Sequence, residues 1–370
     1  MKAVILVGGK ATRLMPLTAN VPKAMAPVVN EPFIGYAIRN LVGHGLKDIV
    51  LAQGHLAQSI ESYLGDGQRF GARLTYSFED KPLGTAGAFK NAERFVAGAD
   101  GASAFAGLNG DIFTDLDLTA MIDFHRRRKA AATIALTPVD DPTAYGLVET
   151  DANGRVRRFL EKPKPEEITT NMINAGTYIL EPGVLARIPT GVAVSIEREV
   201  FPRLVAAGEP VYGFASSAYW LDFGTIQKYL QLHADLLAGL MAHQQSRFRV
   251  PLVDGVALGP GSRVDASARI EGPVVVGANC SVGAQARVVG PTVIGEGAVI
   301  GSRSVLEASV VWRGFHLGEG ARVSGSAVAN DCRLEAGCVV QEAVLGDGVV
   351  VRSGARVPAG SKIDPGRVVR

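Results

Sequence analysis

The chain has 370 residues, 47% of them hydrophobic, with 38 basic against 36 acidic side chains and a formal charge of +2. That length exceeds one ordinary core and suits two, and the near balance of charge leaves no broad basic field for nucleic acid. No apolar run approaches the ~20 residues of a membrane helix, and "MKAVILVGG" runs into glycines without a cleavage pattern, so the cytoplasm, with no membrane partner, is the expected compartment.

The first predicted element is a strand over residues 2–7. A run of apolar, largely β-branched residues opening into Gly8 and Gly9 reads as a buried strand that ends in a tight loop. In "LVGGKATRLMPLT" the amide hydrogens from Leu6 to Arg13 can surround phosphate oxygens, and Arg13 can grip them bidentately. Lys23, in "VPKAMAPV", can neutralise more of a triphosphate's charge. The stretch is not a Walker loop, for it lacks G-x-x-x-x-G-K-[ST]. Further strands predicted over 48–52, 74–78, 104–108 and 133–137 alternate with helix-like stretches over 32–43 and 85–95. That alternation is the pattern of a doubly wound α/β domain with a mainly parallel sheet. A helix-like stretch over 225–245, with Tyr229, Leu232, Leu236, Leu237, Leu240 and Met241 on one side, reads as a rigid join to a second domain.

After residue 250 the rhythm changes. Apolar residues recur six positions apart through Leu252, Leu258, Val264, Ile270, Val276, Val282, Val288, Ile294, Ile300 and Leu306, and from Leu306 the steps become five, six and six, reaching Val311, Leu317 and Val323. A hexapeptide period marks a parallel β-helix of roughly 18 residues per coil, trimmed by one residue per coil after Leu306. The domains are therefore predicted as 1–248 and 249–370. Open ends and flat faces make the repeat region the expected surface of a homo-oligomer. Cys280, Cys332 and Cys338 are odd in number and lack C-x-x-C spacing, which suggests neither a disulfide framework nor zinc.

"GGKATRLMPLT", "PKAMAPV", "PLGTAGA", "NGD", "EKP", "INAGTYIL" and "WLDFGT" occur in the order found in the sugar-1-phosphate nucleotidyltransferases, and the chain resembles that family over nearly its whole length. The resemblance implies a Rossmann-like nucleotidyltransferase domain followed by a left-handed β-helix, and in particular the members with a hexapeptide-repeat tail. It places Leu6, Gly8, Gly9 and Arg13 on the nucleoside triphosphate and Lys23 on its phosphates. Gly84 would let the chain pass under the base while Glu79 reads its edge. A carboxylate offers only acceptors, and guanine presents N1–H and an N2 amino group side by side, so GTP is the expected nucleotide, with mannose-1-phosphate as its partner. The resemblance assigns Gly146, Glu161, Lys162, Asn174 and Gly176 to the sugar phosphate, and Asp111 and Asp222 to magnesium. Magnesium wants hard oxygen ligands and completes its octahedron with water and substrate phosphates. Arg13, Lys23 and Lys162 are the expected catalytic cations.

The family usually has Gly where this chain has Ala11. The added Cβ costs little at negative φ and about 1–2 kcal/mol at positive φ. His44, His55, His125, His233 and His243 show no partner pattern and receive no catalytic role. Three alternatives remain: a uridylyl, thymidylyl or adenylyl transfer to glucose-1-phosphate, a catalytically silent nucleotide-sugar-binding regulator, and a second, acyl-transfer activity using His316 in the repeats. A silent relative would lack Arg13, Lys23, Asp111 or Asp222, all of which are present.

Overall fold

Strand β1 (Lys2–Leu6) forms because an apolar run without polar alternation suits a strand covered on both faces, and Ala3, Val4 and Ile5 are fully buried. The computed structural model describes residues 1–9, 11–54, 56–96, 103–240 and 251–370. These divide into two units, Met1–Lys10 with Ile34–Asp222, and Ala11–Phe33 with Phe223–Arg370. The predicted boundary at 248/249 lies outside the described residues, as do His55, His243, Met241 and Gln245.

In the first unit β1 pairs in parallel with β2 (Asp48–Gln53), and β2 with β3 (Arg73–Phe78). On its other side β1 pairs with β4 (Phe105–Asn109), so the carboxyl ends of all four strands open on one edge. The later strands are β5 (Ile112–Thr114), β6 (Ala132–Pro138), β7 (Gly146–Thr150), β8 (Val156–Glu161), β9 (Met172–Leu180), β10 (Val211–Ala215) and β11 (Trp220–Asp222). The sheet runs β8-β7-β9-β4-β1-β2-β3, with β6 beside β9 and β10 beside β6. The expected mainly parallel sheet is present, and its antiparallel part is built around β9, which runs against β4, β6 and β7. One face packs on the helix Gly84–Asn91 through Val4, Val50, Phe89, Phe105 and Tyr178. That burial of large aromatic area, rather than helix propensity, holds a helix of only eight residues in place.

The second unit contains the solenoid. Its parallel strands stack in three sheets of seven, seven and six strands, the parallel β-helix expected from the repeat. Register falls from eighteen residues per coil, Val274 opposite Thr292, to seventeen, Val293 opposite Val310, as the spacing after Leu306 predicts, but returns to eighteen at the last coil, Val344 opposite Lys362. Val276, Ile294, Val311, Val328 and Leu345 form one buried inward column. The three cysteines are free and buried, and His316 sits in an outward ladder between Val299 and Arg333. At the first coil the inward residues Leu258 and Val264 remain 55% and 36% exposed.

Residues 11–33 belong to this unit rather than to the sheet they follow in sequence. Asn30 donates to the Ile294 carbonyl at 2.9 Å and Asn20 to Asp347 at 2.9 Å. The predicted join forms a helix over Ile226–Leu237, capped by Thr225 Oγ1, which accepts from the Lys228 amide at 3.3 Å. Its apolar stripe, Tyr229, Leu232, Leu236 and Leu237, is buried.

Ala11 adopts φ 48° and ψ 41°, the left-handed conformation in which a Cβ is unfavourable. Its carbonyl accepts from the Leu14 amide and from Thr18 Oγ1, which fixes the strained geometry. Ala11→Gly is therefore expected to stabilise the protein by about 0.5–1 kcal/mol, the relief of strain less the extra backbone entropy of glycine. Denaturant unfolding checks this, and a loss of stability would contradict it.

Candidate active site

The site grows from the strand ends. Gly110, directly after β4, donates its amide to the Leu6 carbonyl at 2.9 Å, and a Cβ there would lie 2.3 Å from that oxygen. Only glycine permits this approach, and it sets the position of Asp111. The ribbon of β5 and β11 is antiparallel with Asp222 opposite Ile112, which brings the Asp222 and Asp111 positions next to each other. Both carboxylates line a cleft of about 150 Å³.

The same cleft is lined by Gly146, Glu161, Asn174 and Gly176, all expected at the sugar phosphate. Gly146 begins β7 opposite Glu161 at the end of β8. Asn174 is fixed at both ends of its amide: Nδ2 donates to the Tyr178 hydroxyl at 2.9 Å and Oδ1 accepts from the Gly176 amide at 3.0 Å. Lys162 follows Glu161 with φ 52°, is exposed, and donates its amide to the Tyr145 carbonyl at 2.8 Å. Trp220 walls the cleft, its indole N–H held by the Ala175 carbonyl at 3.0 Å and its ring 5.4 Å from that of Tyr145.

Glu197, which sequence reasoning did not single out, also lines the cleft. Its Oε2 accepts from Thr85 Oγ1 at 2.6 Å and Ser195 Oγ at 2.8 Å, and the Tyr178 hydroxyl donates to Oε1 at 3.4 Å. It lies in a wide i to i+5 turn, Ile196–Val200, a geometry common at functional sites. "SIEREV" reads as an ordinary amphipathic stretch, so no local signal marks it.

Burial raises the Glu161 carboxyl above its ordinary value of 4.5, the charge of Glu197 raises it further, and Lys162 opposes both. A carboxyl raised in the fold contributes stability below its ordinary pKa and loses it as pH climbs through the raised value. Glu161→Gln should therefore melt above the parent at pH 8 while losing activity, and its advantage should shrink as pH falls towards 4. A melting difference that does not grow with pH would contradict this reading.

Of the residues expected at the nucleotide, Leu6 ends β1, Gly8 and Gly9 follow it, and the Val7 amide donates to the Ala52 carbonyl at 2.8 Å. Glu79 follows β3, and its Oε2 accepts from the Leu83 amide at 3.1 Å. Burial raises the Glu79 carboxyl, and that amide partly offsets the rise. Gly84 has φ 68°, and a Cβ there would lie 2.6 Å from the Val194 carbonyl oxygen, so the loop can pass only as glycine. Arg13 and Lys23 lie in the second unit, where the Lys23 ammonium sits 4.6 Å over the Phe223 ring.

The cleft's donor set suits a hard divalent cation. It offers the Asp111 and Asp222 carboxylates and no Cys or His, and the nearby Asn109 Oδ1 is buried with no hydrogen-bond partner among the described residues. Among those residues no three His, Cys, Asp or Glu side chains gather as a metal cage, so substrate oxygens would have to complete the shell. No described helix is long and apolar enough to cross a membrane.

A profile of the nucleotidyl transferase family matches residues 2–239, more than half of the chain. The chain belongs to the nucleotidyl transferase family. A second profile, the GMPPB C-terminal domain, matches residues 270–369 of this nucleotidyltransferase. It is 36% identical over 346 residues to a mannose-1-phosphate guanylyltransferase of Mycobacterium tuberculosis, covering 92% of this chain and 82% of that one. It is also 36% identical over 341 residues to a UTP–glucose-1-phosphate uridylyltransferase of Synechocystis, covering 87% and 86%. Among solved structures, HddC of Yersinia pseudotuberculosis complexed with GMP-PN is 28% identical with a TM-score of 0.54, covering 62% of this nucleotidyltransferase and 97% of HddC.

Proposed function

We propose that this enzyme transfers the guanylyl group of GTP to mannose-1-phosphate, giving GDP-mannose and pyrophosphate. The observation that carries the proposal is the single cleft that joins the Asp111–Asp222 pair to Glu161, Asn174 and Gly176. Carboxylate and amide groups there suit sugar hydroxyls, and the paired aspartates suit a metal beside the reacting phosphates. A sugar-1-phosphate oxygen is already anionic at neutral pH. It attacks the α-phosphorus of GTP in line, a new P–O bond forms, the bond to the β-phosphate oxygen breaks, and pyrophosphate leaves with that electron pair. No side chain has to take a proton. The amides of Leu6 to Gly9 and the cations Arg13 and Lys23 bind the triphosphate, Lys162 binds the sugar phosphate, and Glu79 reads the guanine edge. Asp111 and Asp222 would hold magnesium, which when bound would supply charge neutralisation at the phosphates.

The Synechocystis relative supports a second reading, uridylyl transfer to glucose-1-phosphate. Glu79 favours guanine, because its free oxygen is an acceptor only. We place the enzyme in the cytoplasm as a homo-oligomer through or near the β-helix, where the open first coil leaves Leu258 and Val264 exposed. The reverse reaction tests the proposal. GDP-mannose with pyrophosphate and magnesium should yield GTP, and a protein that forms UTP from UDP-glucose but no GTP from GDP-mannose would favour the second reading.

A further inference from the structure

We propose that Trp312 of the solenoid acts through Tyr229 as a positioning residue for Lys23. The inference rests on the assignment of Lys23 to the triphosphate. Residues 11–33 have little regular structure to fix themselves: two short 3-10 turns, Thr12–Leu14 and Lys23–Met25, and a two-residue ribbon of Pro27–Val28 with Glu31–Pro32. The conformation of such a segment is set by what it packs against. Here the partner is the solenoid. Val293 and Val310 precede the inward Ile294 and Val311 and so alternate to the outer face, yet both are buried.

The contacts converge on the lysine. Tyr229 is fully buried, and its hydroxyl is doubly committed: it donates to the Pro27 carbonyl and accepts from Trp312 Nε1 at 2.9 Å. The Tyr229 ring lies 6.3 Å from Phe223, which packs on Phe33 at 4.3 Å and carries the Lys23 ammonium over its face. Pro27 comes just after the Lys23–Met25 turn, in which the Ala26 amide donates to the Lys23 carbonyl at 3.0 Å. A side chain 289 positions downstream thus fixes one end of the turn that aims the cation. Lysine has four rotatable stem bonds, so a pre-set aim removes entropy that triphosphate binding would otherwise have to supply.

Tyr229→Phe keeps the ring and removes its hydrogen bonds, whereas Trp312→Phe keeps an aromatic but smaller side chain and removes the indole N–H donor. With the best substrate pair of the wild-type enzyme, each is expected to raise KM for the triphosphate about 5- to 10-fold while leaving KM for the sugar phosphate within twofold. A purely structural role would lower the melting temperature and the active fraction without splitting the two KM values. The double variant Lys23→Met/Trp312→Phe should be no worse than Lys23→Met alone, because both act through one ammonium. Additive losses would overturn the proposal, as would a triphosphate KM within twofold of wild type in Trp312→Phe, which decides alone if Tyr229→Phe does not fold. An unchanged triphosphate KM in Lys23→Met would instead overturn the underlying assignment of that lysine.

Discussion

Asp111→Asn and Asp222→Asn are each expected to lower kcat/KM by about 100-fold or more, the scale of removing a single charge-stabilising group from a phosphoryl or acyl transfer site. The substitution is isosteric and sits at the end of a two-stranded ribbon whose pairing uses only backbone groups, so the fold should persist. What changes is the charge on a proposed metal ligand. A neutral amide oxygen is a weaker donor to a hard cation, so half-maximal activity should need several-fold more magnesium. Calorimetric titration of manganese into the protein with bound nucleotide provides a readout independent of turnover. Activity at unchanged magnesium dependence in both variants would remove these aspartates from the metal site.

Glu79→Gln should cost about 1.5–3 kcal/mol with GTP, or about 10- to 150-fold in kcat/KM. One Glu79 oxygen already accepts from the Leu83 amide. A glutamine can keep that bond through its own carbonyl, so the loop stays braced and only the group proposed to face the base changes, from acceptor to donor. A donor then meets guanine N1–H or N2. The same donor can serve a uracil O4 or O2, so relative activity with UTP should rise. The ratio of the two efficiencies is the useful number, because a simple loss of stability would lower both alike. A GTP efficiency within threefold of the parent would show that Glu79 does not read the base.

These expectations draw on features that were unequally legible. The strand at residues 2–7 and the hexapeptide column are local signals: burial on both faces demands an unbroken apolar run, and each coil repeats its demand within eighteen residues. Asp111 and Asp222 sit in short motifs whose chemistry is carried by the residues themselves. Glu197 leaves no such trace, since its role depends on Thr85, more than one hundred positions away, and on a turn whose width sequence does not reveal. The partnership of residues 11–33 with the solenoid is equally hidden. Asn20 meets Asp347 across 327 positions, and nothing in either neighbourhood announces the other. The left-handed φ of Ala11 was posed by the sequence as a question, because the cost of a Cβ depends on a backbone angle that only the packed loop determines.

The choice of nucleotide and sugar is tested most directly by competition. Wild-type enzyme would be given GTP, UTP, ATP and dTTP against mannose-1-phosphate and glucose-1-phosphate in one matrix, with pyrophosphate release read as kcat/KM for each pair. GTP with mannose-1-phosphate is expected to lead every other pair by at least about tenfold, the ~1.4 kcal/mol that one well-placed hydrogen bond to the base can supply. Leadership by UTP or dTTP with glucose-1-phosphate would contradict guanylyl transfer to mannose-1-phosphate.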